Sequence, residues 1–256
     1  MSHSLARMLV IAGCVATLAQ ATTYTVQATT DIWLAGQPNG TMTGYFGSDT
    51  SALNSPVKIS VTGGQVLTFS ATGSTSVDDS CYAGPDGGCY TDQSSFSPAP
   101  AGGTYPNDFY NGSADALIGV FRNDSATLPP NNTSGGYVVP TGFVTGLDYQ
   151  ANGGANQQLS SYSPALNQIF FIGDGLTGTG SGTIQQFIVP AGATSLYLAV
   201  ADSVGASNNN LGSLNVTVNA ASGGSTPPAT PAPSTLLLAL VGLAGAWWLC
   251  RRAACR

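Results

Sequence analysis

The chain has 256 residues, a formal net charge of −6 and only 7% charged residues. Its 12 acidic residues are all Asp, and its one histidine is His3, near the N-terminus. The rest of the chain therefore excludes Ser-His-Asp hydrolases, Cys-His proteases and His-ligated zinc sites. Lys58 and Arg122 are the only basic residues between the two ends, and such an acidic body argues against nucleic acid as a partner.

Residues 1–21 have the pattern of a secretory signal peptide. Arg7 supplies the positive charge, Met8–Leu18 forms the apolar stretch, and Ala19–Ala21 fits a small-x-small cleavage site. The pattern predicts an exported protein whose mature N-terminus is Thr22.

A competing interpretation places the processing site earlier in this segment. Ile11–Cys14 resembles a lipobox, which would make Cys14 a lipidated N-terminus. The apolar run before it, Met8–Gly13, is short for a signal sequence, so ordinary cleavage is favoured.

Residues 22–220 predict one all-β domain, because short β-prone segments alternate with turns rich in Gly, Asn and Asp. Val57–Val61 and Val66–Ala71 flank a turn at Thr62–Gln65 and are expected to pair as a hairpin. The architecture expected is an antiparallel β-sandwich or jelly roll. The predicted strands are Thr23–Val26, Ile32–Leu34, Val57–Val61, Val66–Ala71, Ala116–Phe121, Gln168–Ile172, Gln186–Val189, Ser195–Val200 and Ser213–Val218.

Two long loops, 75–111 and 123–164, interrupt the predicted strands and are places where binding commonly occurs on β-scaffolds. Cys81 and Cys89 lie close together in the first loop. In an exported protein such a pair predicts a disulfide.

The segment 202–214 reads Asp-Ser-Val-Gly-Ala-Ser-Asn-Asn-Asn-Leu-Gly-Ser-Leu. An Asp, a Gly three residues later, adjacent Asn residues and a Gly-Ser pair before a strand resemble the calcium loop of the PA-I type galactophilic lectins. Those lectins are jelly-roll, galactose-binding-like sandwiches that bind galactose through a bridging Ca²⁺. The resemblance spans about Val57 to Asn219 with large insertions, and it is most specific from Asp202 to Gly212.

The resemblance implies a calcium ion bound by this loop and by a residue of the earlier loop. Its ligands would be the side chains of Asp202, Asn209 and Asn210 and the carbonyls of Ala206 and Val77. A sugar would complete the coordination with its hydroxyls, in contact with Asp202 and Asn209. Calcium takes six to eight oxygen ligands of these kinds.

Some features of the sequence depart from this pattern or allow a plainer interpretation. The lectins carry a His-Pro-x-Gln sugar contact that has no counterpart here, although loop aromatics such as Tyr82 are able to stack on a sugar. Asn208–Asn210 alone is also typical of a simple turn. Asp174, between two glycines, is a second cation candidate, with an Asp-Gly turn as the alternative.

The C-terminal region divides into a Gly/Ser/Pro/Thr linker at 221–233 and a tail at 234–256. In the tail, the apolar run Leu236–Leu249 precedes Arg251 and Arg252. With Pro231–Ser234, this layout resembles the PEP-CTERM sorting signal, although Ala232 stands where that family usually carries Glu. The resemblance implies a transmembrane helix, transient inner-membrane anchoring, processing by an exosortase, and association with exopolysaccharide. A plain membrane anchor is the alternative.

These patterns predict an exported calcium-dependent carbohydrate-binding protein at the cell surface or outside the cell. The alternative is a structural, exopolysaccharide-associated surface protein with no sugar site of its own. A glycoside-acting enzyme is less favoured, because without Glu or a body histidine no motif singles out an acid–base pair. We therefore expect a binding protein and no enzyme.

Overall fold

The computed structural model describes residues 20–39, 42, 49–88, 112–125, 149 and 154–221. No helix within these ranges is long and apolar enough to cross a membrane. Short 3₁₀ helices cover Ile32–Leu34, Ala155–Gln157 and Ser207–Asn209. The strands are β1 Gln20–Gln27, β2 Val57–Ser60, β3 Val66–Ser76, β4 Leu117–Arg122, β5 Ser161–Tyr162, β6 Ile169–Phe171, β7 Leu176–Gly178, β8 Ser181–Ile184, β9 Gln186–Ile188, β10 Ser195–Val200 and β11 Leu211–Ala221.

The strands form two main sheets and a separate hairpin. One sheet has the order β1-β11-β3-β9-β5, the other has the order β2-β10-β4-β6, and β7 pairs with β8. Neighbouring strands are antiparallel except β5 and β9, which run parallel. Within the described residues, the prediction of an all-β, mainly antiparallel domain is thus confirmed.

The two sheets share one hydrophobic core, which makes the described part a β-sandwich. Aromatic rings cross from sheet to sheet. Phe121 of β4 stacks on Phe170 of β6, with ring centroids 4.9 Å apart, and Phe170 lies 5.7 Å from Phe187 of β9. Phe187 in turn meets Phe69 of β3 edge-on at 5.0 Å. Every residue of β4 is buried, as its continuous apolar run predicts.

The predicted hairpin of Val57–Val61 with Val66–Ala71 is wrong. β2 pairs with β10 and β3 pairs with β11, so the two segments belong to different sheets. The turn between them instead bonds to the turn before β10, where Val61 N donates to Thr194 O at 3.1 Å. A pairing of β3 with β11 along the whole of both strands outweighs a short local hairpin.

The predicted strand at Ile32–Leu34 is also wrong, since these residues form a buried 3₁₀ helix. The Asp31 side chain caps it by accepting a hydrogen bond from Trp33 N at 2.8 Å. This side-chain capping is the local alternative to a strand that Asp characteristically offers.

Several predictions fall wholly or partly outside the described residues. They include most of the signal at 1–21, almost all of the linker at 221–233, and the tail at 234–256. Cleavage after Ala21 would remove the first two residues of β1, which pair with Ala220 and Asn219. Cys81 is described but Cys89 is not, so the disulfide stays a prediction.

Candidate calcium site

Three chain segments meet at one end of the sandwich. Asp115 lies two residues before β4 and Asp202 lies two residues after β10, and the two strands are neighbours in one sheet. Asp115 N donates to Ala201 O at 2.9 Å, which brings these two strand ends together. The end of β3, in the other sheet, joins them because the Thr75 hydroxyl donates to Asp115 O at 2.9 Å.

The loop after Asp202 turns through the 3₁₀ helix Ser207–Asn209 and enters β11 after Asn210. Leu211 pairs with Ser76, so the end of this loop lies beside the residue that follows β3. Asn209 Nδ2 is 3.4 Å from the Val77 carbonyl oxygen. Strand pairing therefore brings the loop after Asp202 next to Val77. These are the two segments from which the lectin resemblance draws the calcium ligands.

Oxygen acceptors without donors collect at this point. Asp115 is fully buried, and neither of its carboxylate oxygens has a well-aligned hydrogen-bond donor among the described residues. Asn210 is 3% exposed, and while its Nδ2 donates to Ala28 O at 3.2 Å, its Oδ1 has no described partner. A buried acceptor with no donor typically costs about 1–3 kcal/mol, a cost that a bound cation or protonation of the carboxyl group would reduce.

The two carboxyl groups have strongly altered acidities. The pKa of Asp115 is raised to about 7, chiefly by burial and then by the charges of Asp202 and Asp78, while hydrogen bonds from the Thr75 side chain and the Val77 amide act to lower it. Burial likewise raises the pKa of Asp202 to about 6, although the Ser203 amide and the Asn210 side chain act to lower it. Both carboxylates thus lack counter-charge in the described structure.

The described structure brings four of the five predicted ligand residues to this end of the sandwich. Asp202 interacts with Asn210, and Asn209 contacts Val77. Ala206 is half-buried on the connecting loop, as the N-cap of the 3₁₀ helix. Of the two predicted sugar contacts, Asn209 is exposed, whereas Asp202 is 5% exposed.

Three buried aspartates at this end were missed by sequence reasoning. Asp115 supplies the uncompensated carboxylate, and two others position the loop. Asp49 Oδ2 accepts from Ser207 N at 2.7 Å, and Asp31 Oδ2 accepts from Gly205 N at 3.2 Å. Asp31 and Asp115 directly precede the apolar runs Ile-Trp-Leu and Ala-Leu-Ile, a signal that predicts burial of an acid.

The donor set suits a hard cation that accepts neutral oxygens. Within the described ranges no group of three or more His, Cys, Asp or Glu side chains that could hold a metal is present. Two carboxylates with amide and carbonyl oxygens form the kind of set that calcium accepts and zinc does not. Asp174, the second cation candidate, instead accepts from Leu176 N at 2.8 Å and Gly180 N at 2.7 Å, which stabilises a turn.

Comparisons with known proteins give little further information. No protein-family model matches the chain. No curated protein matches it significantly. Among solved structures, an N-terminal domain of EclA described as a PllA-like lectin is similar over 78% of this chain and 95% of that chain, with 14% identity and a TM-score of 0.30. A similarity this low supports no argument about function.

Proposed function

We propose that this protein is an exported, calcium-dependent carbohydrate-binding protein, and that the ion binds among Asp115, Asp202, Asn209, Asn210 and Val77. The observation that carries the proposal is the set of buried oxygens on Asp115 and Asn210 that lack a well-aligned donor, beside the Asp202 carboxylate. One divalent cation satisfies them together and removes the repulsion between the two carboxylates.

The exposed part of the site is consistent with the same ion. Asn209 Nδ2 lies near the Val77 carbonyl, and exchanging the two ends of this amide would put Oδ1 beside that carbonyl. Both oxygens would then face the same cation. The Ala206 carbonyl is the remaining protein ligand implied by the lectin-like loop.

A sugar has room on the outer side of this site. Asn208 and Asn209 are exposed, and so are Asp78 and Asp79 on the facing loop. Tyr82 is 53% exposed, and its hydroxyl donates to Asp79 Oδ1 at 2.9 Å. An anchored aromatic ring beside an exposed carboxylate suits a sugar, which offers an apolar face and several hydroxyls.

Export and release of the protein form part of the proposal and rest on the sequence patterns. The signal would direct export, and the PEP-CTERM-like tail would anchor the chain transiently in the inner membrane until an exosortase processes it. Carbohydrate, including exopolysaccharide, is the proposed partner outside the cell.

Calcium titration calorimetry on the purified full chain tests the proposal, with Asp202→Asn beside the wild type. We expect saturable calcium binding that weakens about 100-fold or more in Asp202→Asn, because the variant removes one ligand charge. Asp174→Asn is the matched control, since the Asp174 oxygens already accept main-chain hydrogen bonds, and it should bind calcium like the wild type.

A second titration adds galactose to the calcium-loaded protein. Heat that appears with calcium and disappears with chelator supports sugar binding at the ion. Calcium binding without any sugar heat would support the structural alternative, in which the ion only stabilises the sandwich. Absence of calcium binding in the wild type would overturn the site itself.

A further inference from the structure

The first strand of the domain is a long edge strand. β1 has eight residues and pairs with β11 along its whole length without a register shift, and among the described strands it has no neighbour on its other side. It contains neither a charged residue nor a proline. Proteins usually protect an edge with such residues, with bulges or with short strands, because unpaired N–H and C=O groups attract another strand.

The remaining edges of the two main sheets carry this protection. β5 has two residues and β6 has three, so neither offers a length of strand for pairing. β2 carries Lys58, one of the two basic residues of the body. Within the described sandwich, β1 is therefore the edge that a second strand could most readily join.

The side of the sandwich at β1 is open. Thr22 and Tyr24 line a groove of about 460 Å³ together with residues 58–60 of β2. Because β2 is the edge strand of the other sheet, both sheets end at this groove. Apart from Tyr24 and Val26, residues 21–27 are exposed, so the edge is accessible to a partner.

The direction of the edge groups follows from one hydrogen bond. Ala28 N donates to Gly212 O at 3.0 Å, one step beyond the last residue pair of β1 and β11. Hydrogen-bonded pairs alternate along an antiparallel ladder, so the bonds to β11 fall on the even-numbered residues of β1. The N–H and C=O groups of the odd-numbered residues after the predicted cleavage site therefore point to the open edge: Thr23, Thr25 and Gln27.

Charge limits where two copies of this chain can meet. With a net charge of −6, the copies repel each other over most of their surfaces. β1 has no charge, and the outward residues of β11 beside it are also uncharged: Ser213, Asn215, Thr217 and Asn219. Antiparallel pairing of β1 with the same strand of another copy therefore brings no like charges together.

We propose that β1 pairs antiparallel with β1 of a second copy, about a two-fold axis at Thr25. In this register Thr25 lies opposite Thr25 of the second copy and Thr23 lies opposite Gln27, so the outward groups form about six hydrogen bonds. Tyr24 lies opposite Val26, an aromatic and β-branched pair of the kind that stabilises antiparallel strands. The two five-stranded sheets then form one continuous sheet.

This interface needs neither calcium nor sugar and goes beyond the proposed function. A dimer presents each surface of the domain twice, so a weak site on it gains avidity towards a repetitive polymer.

Sedimentation velocity of the purified full chain over a range of concentrations, in chelator, tests the pairing. We expect a reversible shift from monomer to a species of twice its mass. Amide exchange at Thr23, Thr25 and Gln27 should slow in that species, because these amides point away from β11. A chain that stays monomeric, a dimer that requires calcium, or a dimer in which these amides still exchange fast would overturn the proposal.

Thr25→Pro removes the amide donor at the axis without removing a bond to β11. It should raise the dissociation constant of the dimer at least about 10-fold, because the facing carbonyl of each copy loses its donor. Thr25→Ala is the matched control. Both variants lose the hydroxyl that donates to Asn215 Oδ1 at 3.3 Å, but Thr25→Ala keeps the amide and should dimerise like the wild type. Equal dimerisation of the two variants would contradict the pairing.

Thr25→Lys keeps the proposal testable if the proline variant does not fold. The axis at Thr25 would bring the two added ammonium groups face to face, so the dimer should weaken at least about 10-fold. Thr72→Lys is its control and should dimerise normally, since Thr72 is exposed on β3, beyond Asn215 in the same row of the sheet and away from the edge. A wild-type dimer in folded Thr25→Lys protein would refute the assignment.

Discussion

Asp115 combines a main chain in the left-handed region, with φ 64°, and a carboxyl group that is fully buried. Non-glycine residues rarely adopt this conformation unless their surroundings hold them there. Here Asp115 N donates to Ala201 O and the Thr75 hydroxyl donates to Asp115 O. These bonds hold the Asp115 carboxylate close enough to Asp202 for the two charges to interact.

The raised pKa values predict how the stability of the calcium-free protein depends on pH. The pKa of Asp115 rises from 3.8 to about 7, so the folded state binds more protons than the unfolded state between these pH values. Asp115 therefore contributes a loss of stability as pH rises through this window, at up to about 1.4 kcal/mol per unit. The measurement is thermal unfolding in chelator from pH 4 to 8.

Asp115→Asn is the matched variant for this prediction, because it keeps the shape and removes the titration. Other aspartates also make the free energy of unfolding depend on pH. The quantity to compare is therefore the difference in the free energy of unfolding between wild type and variant at each pH. The variant should gain stability relative to the wild type as pH rises from about 4 to 7. A difference that stays constant with pH would mean that Asp115 ionises normally in the folded protein.

At the scale of the elements, the candidate site depends on how the 205–210 loop is held. Two buried aspartates that are not themselves proposed ligands accept hydrogen bonds from its main chain. Asp49 binds the amide of Ser207, and Asp31 binds the amide of Gly205. These bonds fix the 3₁₀ turn from which Asn209 and Asn210 project.

Asp49→Ala should therefore weaken calcium binding without removing a ligand. Loss of the bond to Ser207 N frees the turn, and re-ordering it on binding should lower the affinity by about 10-fold. Calorimetry measures the affinity, and hydrogen exchange at the Ser207 amide should show loss of protection. Wild-type affinity with fast exchange would show that the turn does not need to be held in advance.

The β3–β11 pairing positions the same loop from its other end. Gly212 has φ +91°, and a Cβ at this residue would lie 2.3 Å from the Ser74 carbonyl oxygen. Gly212→Ala should therefore separate the strands beside Asn210 and destabilise the fold by about 1–3 kcal/mol. Chemical denaturation measures this loss. Gly64→Ala is the control, because Gly64 also has a positive φ, +84°, but an added Cβ would have nothing within 4 Å. This variant should lower the free energy of unfolding by less than Gly212→Ala does.

The sequence predicted elements whose determinants are local. The apolar run at Ala116–Phe121 identified β4, and the spacing from Asp202 to Gly212 identified the loop, because each lies within one short segment. The contribution of Asp115 depends on β4 and β10 being neighbours, which no local pattern specifies. The wrong prediction of a hairpin has the same cause. The strand within Val57–Val61 pairs with β10, which is distant in sequence, and not with the adjacent segment Val66–Ala71.

At the scale of the whole molecule, charge favours cation binding. The 12 Asp residues outnumber the two basic residues of the body, Lys58 and Arg122. Such a surface attracts divalent cations and raises their local concentration. The negative charges also repel one another in the folded state, as the charges of Asp202 and Asp78 do where they help to raise the pKa of Asp115.

Calcium should therefore stabilise the whole sandwich, because its ligands come from both sheets and the ion binds only when these are assembled. At a free concentration near 100 times the dissociation constant, binding adds about 2.7 kcal/mol. For a domain of this size, that corresponds to a rise in melting temperature of roughly 5–10 °C. Calorimetric melting of the full chain in calcium and in chelator measures the rise, with magnesium as the ionic-strength control.

Two variants separate the specific ion from general screening of the acidic surface. Asp202→Asn should lose most of the calcium-induced rise in melting temperature, whereas Asp174→Asn, in which a turn aspartate is altered, should keep the full calcium response. An equal response in both variants, or an equal effect of magnesium, would show that calcium only screens surface charge. The buried oxygens of Asp115 and Asn210 would then be compensated by protonation of the carboxyl group rather than by an ion.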